Sequence, residues 1–142
     1  MSERNKLGCY TEGRWVTGND DGVELRSAVN ADFIAAATSA GVNYGAMADY
    51  ARRVGGPNLR KMTFHDRAFM LKALAQYLLE HKKEFYALST KTGATKKDSW
   101  IDIDGGISTL FVFSSKGRRE MPNDHVLCDG PPEQISRGGT FT

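Results

Sequence analysis

Residues 63–78 read TFHDRAFMLKALAQYL and predict an amphipathic helix with a defined start. Thr63 and Asp66 have the spacing of a capping box, with Asp in the place of the commoner Glu. The apolar residues that follow are three or four positions apart, so they share one helical face: Phe64, Ala68, Leu71, Leu74, Ala75 and Leu78. A helix with such a stripe normally packs against the rest of its domain.

Further helical patterns lie on both sides of this segment. Asn43 is a suitable N-cap for a helix over 44–54, which the Gly-Gly-Pro sequence at 55–57 should end. The helix after Thr63 either ends or kinks near the basic residues 81–83, or continues to Thr92 with a stop at Gly93.

A last helix is expected over the residues up to Phe113, with Thr95 or Asp98 as alternative caps. Its interior holds Gly105 and Gly106, which together cost about 1.5–2 kcal/mol relative to alanine. A pair this costly indicates a separate requirement: room for a ligand, close helix packing or a kink.

Residues 1–40 predict strands and turns instead. A Glu-Gly turn centres a hairpin over 10–16, and a polar turn at 19–22 precedes an alternating strand at 23–26. A second hairpin pairs 27–29 with 33–35, although the alanines at 35–37 fit a helix equally well. Residues 117–142 lose periodicity and read as extended, with a strand beginning near 137. The fold class is therefore α+β: N-terminal β-hairpins followed by three to four helices.

Composition excludes several functional classes. The chain has 142 residues, 40% apolar and 25% charged, with a net charge of +2. This charge is too small to indicate a nucleic-acid partner, and no apolar run is long enough to span a membrane. The first ten residues lack the apolar core of a secretory signal, so we expect a cytoplasmic protein. Cys9 and Cys128 are too isolated for a disulfide framework and are expected to have no special role.

No complete catalytic or metal site can be read from the residues alone. The sequence has no Gly-rich phosphate loop and no cluster of metal-ligating residues. The three histidines are expected to be a cap neighbour, a helix-end charge and a loop residue: His65, His81 and His125.

The acidic residues beside the glycine pair have two interpretations. Asp98 and Asp102 are one helical turn apart, with Asp104 nearby, which is typical of paired carboxylates for acid–base chemistry or cation binding. Acids that complement a helix N-terminus have the same pattern. The basic residues at 116, 118 and 119 have the corresponding interpretations, phosphate binding or complementing a helix C-terminus.

Three stretches carry a resemblance to a known family: MTFHDRAFMLKAL at 62–74, FYALSTKTGAT at 85–95 and DSWIDIDGGI at 98–107. Together they resemble the N-terminal part of the aldehyde dehydrogenase superfamily, across about residues 8–142. Within it they are most similar to the bifunctional ring-opening enzymes of aerobic phenylacetate degradation, which join a dehydrogenase to a MaoC-like hydratase. The semialdehyde dehydrogenases of the aerobic benzoyl-CoA pathway are the close alternative.

The resemblance implies that residues 1–142 are the N-terminal part of a cofactor-binding domain, with strands at 1–40, helices at 43–116 and an extended lead into an oligomerisation strand at 117–142. The whole protein would be a homo-oligomer that oxidises a CoA-thioester semialdehyde with NADP or NAD. The catalytic Cys, Glu and Asn of the family, its cofactor loop and the hydratase would all lie beyond Thr142. The chain alone is therefore expected to be inactive and to hold no cofactor, unless it is a stand-alone helical interaction module.

The resemblance also implies a substrate-facing surface on the last helix. Ile101, Asp102 and Gly105 match positions that line the family's substrate tunnel, where relatives with small substrates carry larger apolar side chains. The glycine would then make room for a long CoA-linked substrate. Many relatives hold a monovalent cation with an acid at the position of Lys91, so no cation site is expected here.

Overall fold

Short antiparallel strand pairs flank a long helical hairpin. The computed structural model describes residues 5–128, 130–131 and 133–141. Along the chain, its elements are β1 Cys9–Thr11, β2 Arg14–Val16, β3 Val23–Arg26, β4 Phe33–Ala37, α1 Tyr44–Tyr50, a π-helical turn Ala51–Gly55, α2 Gly56–Arg60, α3 Phe64–Ser89, a 3₁₀ turn Thr90–Thr92, α4 Lys96–Glu120, β5 Glu133–Ser136 and β6 Gly139–Phe141. The α+β class is confirmed.

The first hairpin forms as its sequence predicts. β1 and β2 pair antiparallel, with Cys9 opposite Val16. The two turn residues, Glu12 and Gly13, have φ values of 51° and 81°. Positive φ at both central positions defines the turn whose twist matches the flanking strands, and glycine supplies one of them without steric cost.

The second hairpin has a different partner from the predicted one. β4 pairs with β3, Val23 opposite Ala37, and residues 27–29 are not a strand, because the chain turns at 28–30. Local hydrogen bonds close this turn, because the Val29 amide donates to Ser27 Oγ (3.2 Å) and the Ala31 amide to the Ser27 carbonyl (2.9 Å). The alanine run is a strand and not a helix, and Ala35 and Ala36 are buried.

The helix that begins after Asn43 does not end at the Gly-Gly-Pro sequence. Asn43 caps α1 as predicted, its side chain accepting from the Ala46 amide at 3.0 Å. The backbone then widens into the π-helical turn and continues through Pro57 in α2 to Arg60. Proline clashes with the carbonyl four residues earlier in a regular α-helix, and the wider turn offers a way around that clash.

Capping boxes start both long helices. Thr63 with Asp66 begins α3, and Thr95 with Asp98 begins α4, so Thr95 is the cap of the two alternatives. The helix α3 has no break near residues 81–83 and reaches Ser89, and Gly93, with φ of +84°, terminates the following turn as predicted. The helix α4 ends at Glu120, four residues after the predicted limit of 116.

Small side chains form the seam between α3 and α4. Ala68 and Ala75 are buried on α3, and Ser99, Ile107 and Ser114 on α4. A Cβ added at Gly117 would lie 3.1 Å from the Cβ of Ala68, so the backbones approach closely there.

One member of the predicted apolar stripe lies off this seam. Leu74 is 47% exposed, whereas Ala75 beside it is fully buried. The seam advances every 3.5 residues on average, as in a coiled coil, so adjacent positions cannot both face the partner. Among the described residues, the stripe packs mainly against α4, which supplies the facing residues.

After α4, the chain returns to the start of α3. There the Phe64 amide donates a hydrogen bond to the Asp124 carbonyl oxygen (2.9 Å). β5 and β6 then pair antiparallel, which extends the predicted strand near 137 into a hairpin; Thr142 lies outside the described residues. Within the described part of the chain, no helix combines the length and apolar character needed to cross a membrane.

Candidate functional site

Three residues expected to line a substrate tunnel lie on one exposed side of α4. Ile101 is 53% exposed, and Asp102 and Gly105 are also exposed. The buried residues Ser99 and Ile107 lie on the other side of the helix, where Ser99 Oγ lies 2.9 Å from Ser89 Oγ of α3. We call the exposed side, defined by Ile101, Asp102 and Gly105, the outer face of α4.

The glycine pair leaves open space beside the helix. A Cβ built on Gly105 or Gly106 would meet no described atom within 4 Å. Close packing against a described neighbour therefore does not require either glycine, and α4 continues through both without interruption. Close helix packing instead involves Gly117, where an added Cβ would lie 3.1 Å from the Cβ of Ala68.

The paired-carboxylate interpretation is not supported for Asp98. Its Oδ2 accepts from the Thr95 amide (3.1 Å) and the Thr95 hydroxyl (2.6 Å), so it completes the helix cap. These hydrogen bonds hold the pKa of Asp98 below its ordinary value, the hydroxyl contributing most. The alternative, an acid that complements the helix N-terminus, is confirmed. Asp102 is exposed and forms no hydrogen bond or ion pair with the other described residues.

Asp104 belongs to a polar cluster between the two helices. Lys82 Nζ lies 2.9 Å from its Oδ1, and the Tyr86 hydroxyl donates to its Oδ2 at 2.5 Å. The hydrogen bond from Tyr86, followed by that from Lys82, lowers the pKa of Asp104. The same bond raises the pKa of Tyr86. The carboxylate thus stays ionised and ties α4 to α3 one residue before Gly105.

The sequence does not predict this cluster, although the residue spacing along α3 indicates the position of Lys82. Lys82 continues the seven-residue spacing of Ala68 and Ala75, which marks it as a seam position. Which residue of α4 it meets depends on the axial register of the two helices, and local spacing does not define that register.

The histidines lie apart in the structure. His65 is in the first turn of α3, with Nε2 3.0 Å from the Met121 carbonyl oxygen, and His125 is in the segment after α4, as predicted. The prediction for His81 is wrong because α3 continues beyond it. Its Nδ1 lies 2.9 Å from Glu84 Oε1, one turn along the same helix.

Both cysteines are distant in sequence from the outer face of α4, and neither has a described contact with Ile101, Asp102 or Gly105. Cys9 is half-buried with Sγ 3.6 Å from the Thr38 carbonyl oxygen, and Cys128 is exposed. In the described residues, no three His, Cys, Asp or Glu side chains converge as metal ligands would.

A cleft of about 560 Å³ lies beside β3 and β4 and is lined by Asp20, Gly22, Val23, Ala37, Thr38, Ser39 and Ala40. None of these residues is cationic, and no helix begins among them. Helix N-termini and cations are the groups that commonly hold a pyrophosphate. The residues that line this cleft carry neither feature of a dinucleotide site.

Comparison with known proteins identifies the family. The model of the "Aldehyde dehydrogenase family" matches residues 15–135, which include every described helix, the strands β3 and β4 in full, and the last two residues of β2. The chain belongs to the aldehyde dehydrogenase family. It is also 31% identical over 126 residues to a "3,4-dehydroadipyl-CoA semialdehyde dehydrogenase" of Aromatoleum evansii. The aligned region covers 88% of this chain and 24% of that relative, so the chain spans about a quarter of the relative's length.

In this aldehyde dehydrogenase chain, the candidate residues lie on the helical hairpin formed by α3 and α4. It presents one exposed side with open space at Gly105, and it holds that side in place through the small-residue seam and the Asp104 cluster. Ile101, Asp102 and Gly105, which the family resemblance singles out, lie within two turns of α4, and Cys9 and Cys128 lie outside this helix.

Proposed function

We propose that this chain forms the N-terminal part of an NAD(P)-dependent aldehyde dehydrogenase that oxidises a CoA-linked semialdehyde in the degradation of aromatic compounds. The observation that carries the proposal is the similarity over 126 residues to a dehydrogenase whose name specifies a CoA semialdehyde. The family match over 15–135 supports the dehydrogenase class independently.

In this proposal the outer face of α4 borders the acyl part of the substrate. The open space at Gly105 supports such a role, because a larger side chain there would occupy the volume that a long acyl-CoA needs. Ile101 would contribute apolar contact, and Asp102 a polar boundary. The catalytic residues and the nicotinamide site belong to other parts of the protein.

The test is cofactor reduction by the whole protein that contains this chain. With a CoA-linked semialdehyde as substrate, NADPH or NADH should form, and parallel assays with NADP and NAD identify the cofactor. No reduction of either cofactor would contradict the proposal. Sedimentation of the same preparation measures the expected homo-oligomer.

Two substrates from aromatic catabolism separate the remaining alternatives. Activity with the ring-opened semialdehyde of phenylacetate degradation, together with hydrolysis of its oxepin-CoA precursor, would support the bifunctional type. Activity with 3,4-dehydroadipyl-CoA semialdehyde and no hydrolase activity would support the benzoyl-CoA type, which the name of the Aromatoleum evansii relative favours. An open reading frame that stops at Thr142 would instead favour the stand-alone helical module.

A further inference from the structure

We infer that a small pocket beside the tip of the helical hairpin binds a short α-amino acid as a zwitterion, through Lys91 and Asp32. The pocket has a volume of about 200 Å³. Its lining residues are Ser27, Asn30, Asp32, Phe33, Ile34 and Lys91. None of these residues belongs to α4, so the inference goes beyond the proposed dehydrogenase function and does not depend on it.

A backbone contact joins the two walls of the pocket. One wall is the turn after β3 together with the start of β4, and the other is the 3₁₀ turn that follows α3. The Ala28 amide donates to the Lys91 carbonyl oxygen at 2.8 Å. A Cβ added at Gly93 would lie 3.7 Å from the Cβ of Ala28. The backbone that carries Lys91 is therefore held against the opposite wall.

Two opposite charges line the pocket without pairing to each other. The Lys91 ammonium group has no hydrogen-bond or ion-pair partner among the described residues. Asp32 accepts from Asn30 Nδ2 at 2.6 Å through its Oδ2, and its amide donates to Asn30 Oδ1 at 3.2 Å. These bonds fix the carboxylate and leave its Oδ1 without a donor in the described part of the chain. The pocket thus offers one cation and one carboxylate oxygen to a ligand.

The most buried lining residue adds a hydrogen-bond donor. Ser27 is 8% exposed, and its Oγ accepts from the Val29 amide at 3.2 Å. The hydroxyl hydrogen of Ser27 has no acceptor among the described residues. Buried hydroxyl groups are normally hydrogen-bonded, and this one still has its donor to use. An anionic oxygen of a ligand would accept from it.

These groups favour a short ligand that carries both charges. Its carboxylate would accept from Lys91 and Ser27, and its ammonium group would donate to Asp32 Oδ1. A zwitterion adds no net charge to a pocket whose two charges cancel, whereas a phosphate or a dicarboxylate would place excess negative charge beside Asp32. Pockets for drug-sized ligands occupy roughly 300–1,000 Å³, so the smaller volume here suits a molecule of the size of alanine.

The test is binding of L-alanine to the whole protein that contains this chain, measured by saturation-transfer NMR over a range of alanine concentrations. Each end of the ligand forms a hydrogen bond with a charged group, so removing one should weaken binding roughly tenfold. We therefore expect Lys91→Gln and Asp32→Asn each to raise Kd by about this factor. Lys83→Gln is the matched control, because Lys83 is an exposed lysine of the same hairpin that does not line the pocket, and it should leave Kd unchanged.

Two analogues of alanine test the two charges separately. Propionate lacks the ammonium group and ethylamine lacks the carboxylate, so each should bind roughly tenfold more weakly than alanine. Equal binding of either analogue would overturn the inference, because one charge alone would then explain the site. An alanine signal that does not saturate, or the same Kd in Lys91→Gln as in the wild type, would also overturn it. A protein that binds alanine but does not oxidise a CoA semialdehyde would contradict the proposed function and support this inference.

Discussion

Replacing Gly106 and Gly117 by alanine should change the stability of the chain in opposite directions. Both glycines lie in α4, where alanine is favoured by up to about 1 kcal/mol through helix propensity. At Gly106 a Cβ meets no described atom within 4 Å, so Gly106→Ala should gain most of that amount.

At Gly117 the added Cβ would lie 3.1 Å from the Cβ of Ala68. The alanine Cβ is fixed to its backbone, so α3 and α4 must separate by a few tenths of an ångström to relieve the contact. Overpacking of this kind costs about 1–3 kcal/mol, which exceeds the propensity gain. We therefore expect Gly117→Ala to be less stable than Gly106→Ala by about 1–3 kcal/mol.

Thermal unfolding followed by circular dichroism measures this difference. A change of 1 kcal/mol corresponds to roughly 4 °C in Tm for a domain of this size. Gly105→Ala is the matched control, because its Cβ also meets open space, and it should behave like Gly106→Ala. A Gly117→Ala variant as stable as Gly106→Ala would refute the close approach of the two helices at Ala68.

Three further predictions concern the Asp104 cluster, the helix cap and the outer face. The hydrogen bond from Tyr86 lowers the pKa of Asp104. The ionised carboxylate therefore stabilises the fold above about pH 4, and this stabilisation is lost as the pH falls through the lowered pKa. Acid titration followed by circular dichroism should show a smaller loss of stability in Asp104→Asn than in the wild type. Thr95→Ala should lower the free energy of unfolding by about 1 kcal/mol in urea titrations. Thr90→Ala removes a hydroxyl that donates to the Ala87 carbonyl oxygen at the end of α3 and takes no part in the capping box of α4, so it should cost less, and equal losses would contradict the capping box. Gly105→Leu in the whole protein should reduce kcat/KM for a CoA semialdehyde at least about tenfold more than for a short free aldehyde; equal reductions in steady-state assays would contradict a substrate-facing role.

Local chemistry explains what the sequence predicts well. A capping box involves residues three apart, so Thr63 with Asp66 and Thr95 with Asp98 are readable without tertiary information. The Glu-Gly turn is equally local, because its conformation depends on residues that tolerate positive φ.

The errors arise where distant parts of the chain decide the structure. The partner of β4 depends on which strand offers a matching register, and the turn at Ser27 removed the nearer candidate. The contact between Lys82 and Asp104 depends on the axial register of two helices. Glycines in one helix look alike in sequence, yet only the structure separates Gly117, which contacts α3, from Gly105, which faces open space.

The candidate site combines both kinds of information. Ile101 and Gly105 are four residues apart on one side of α4, and both are exposed in the structure. The proposed contact with a substrate depends on the resemblance to a CoA semialdehyde dehydrogenase, because spacing alone does not specify a ligand.

The most direct test of the account is the substrate preference of the whole protein that contains this chain. The measurement is the ratio of kcat/KM for a CoA-linked semialdehyde to that for the same semialdehyde acid without CoA, followed by NAD(P)H formation. We expect the CoA-linked substrate to be preferred at least about tenfold, the effect of one or two additional contacts along the outer face of α4. A ratio near one, or a preference for the free semialdehyde, would contradict the account.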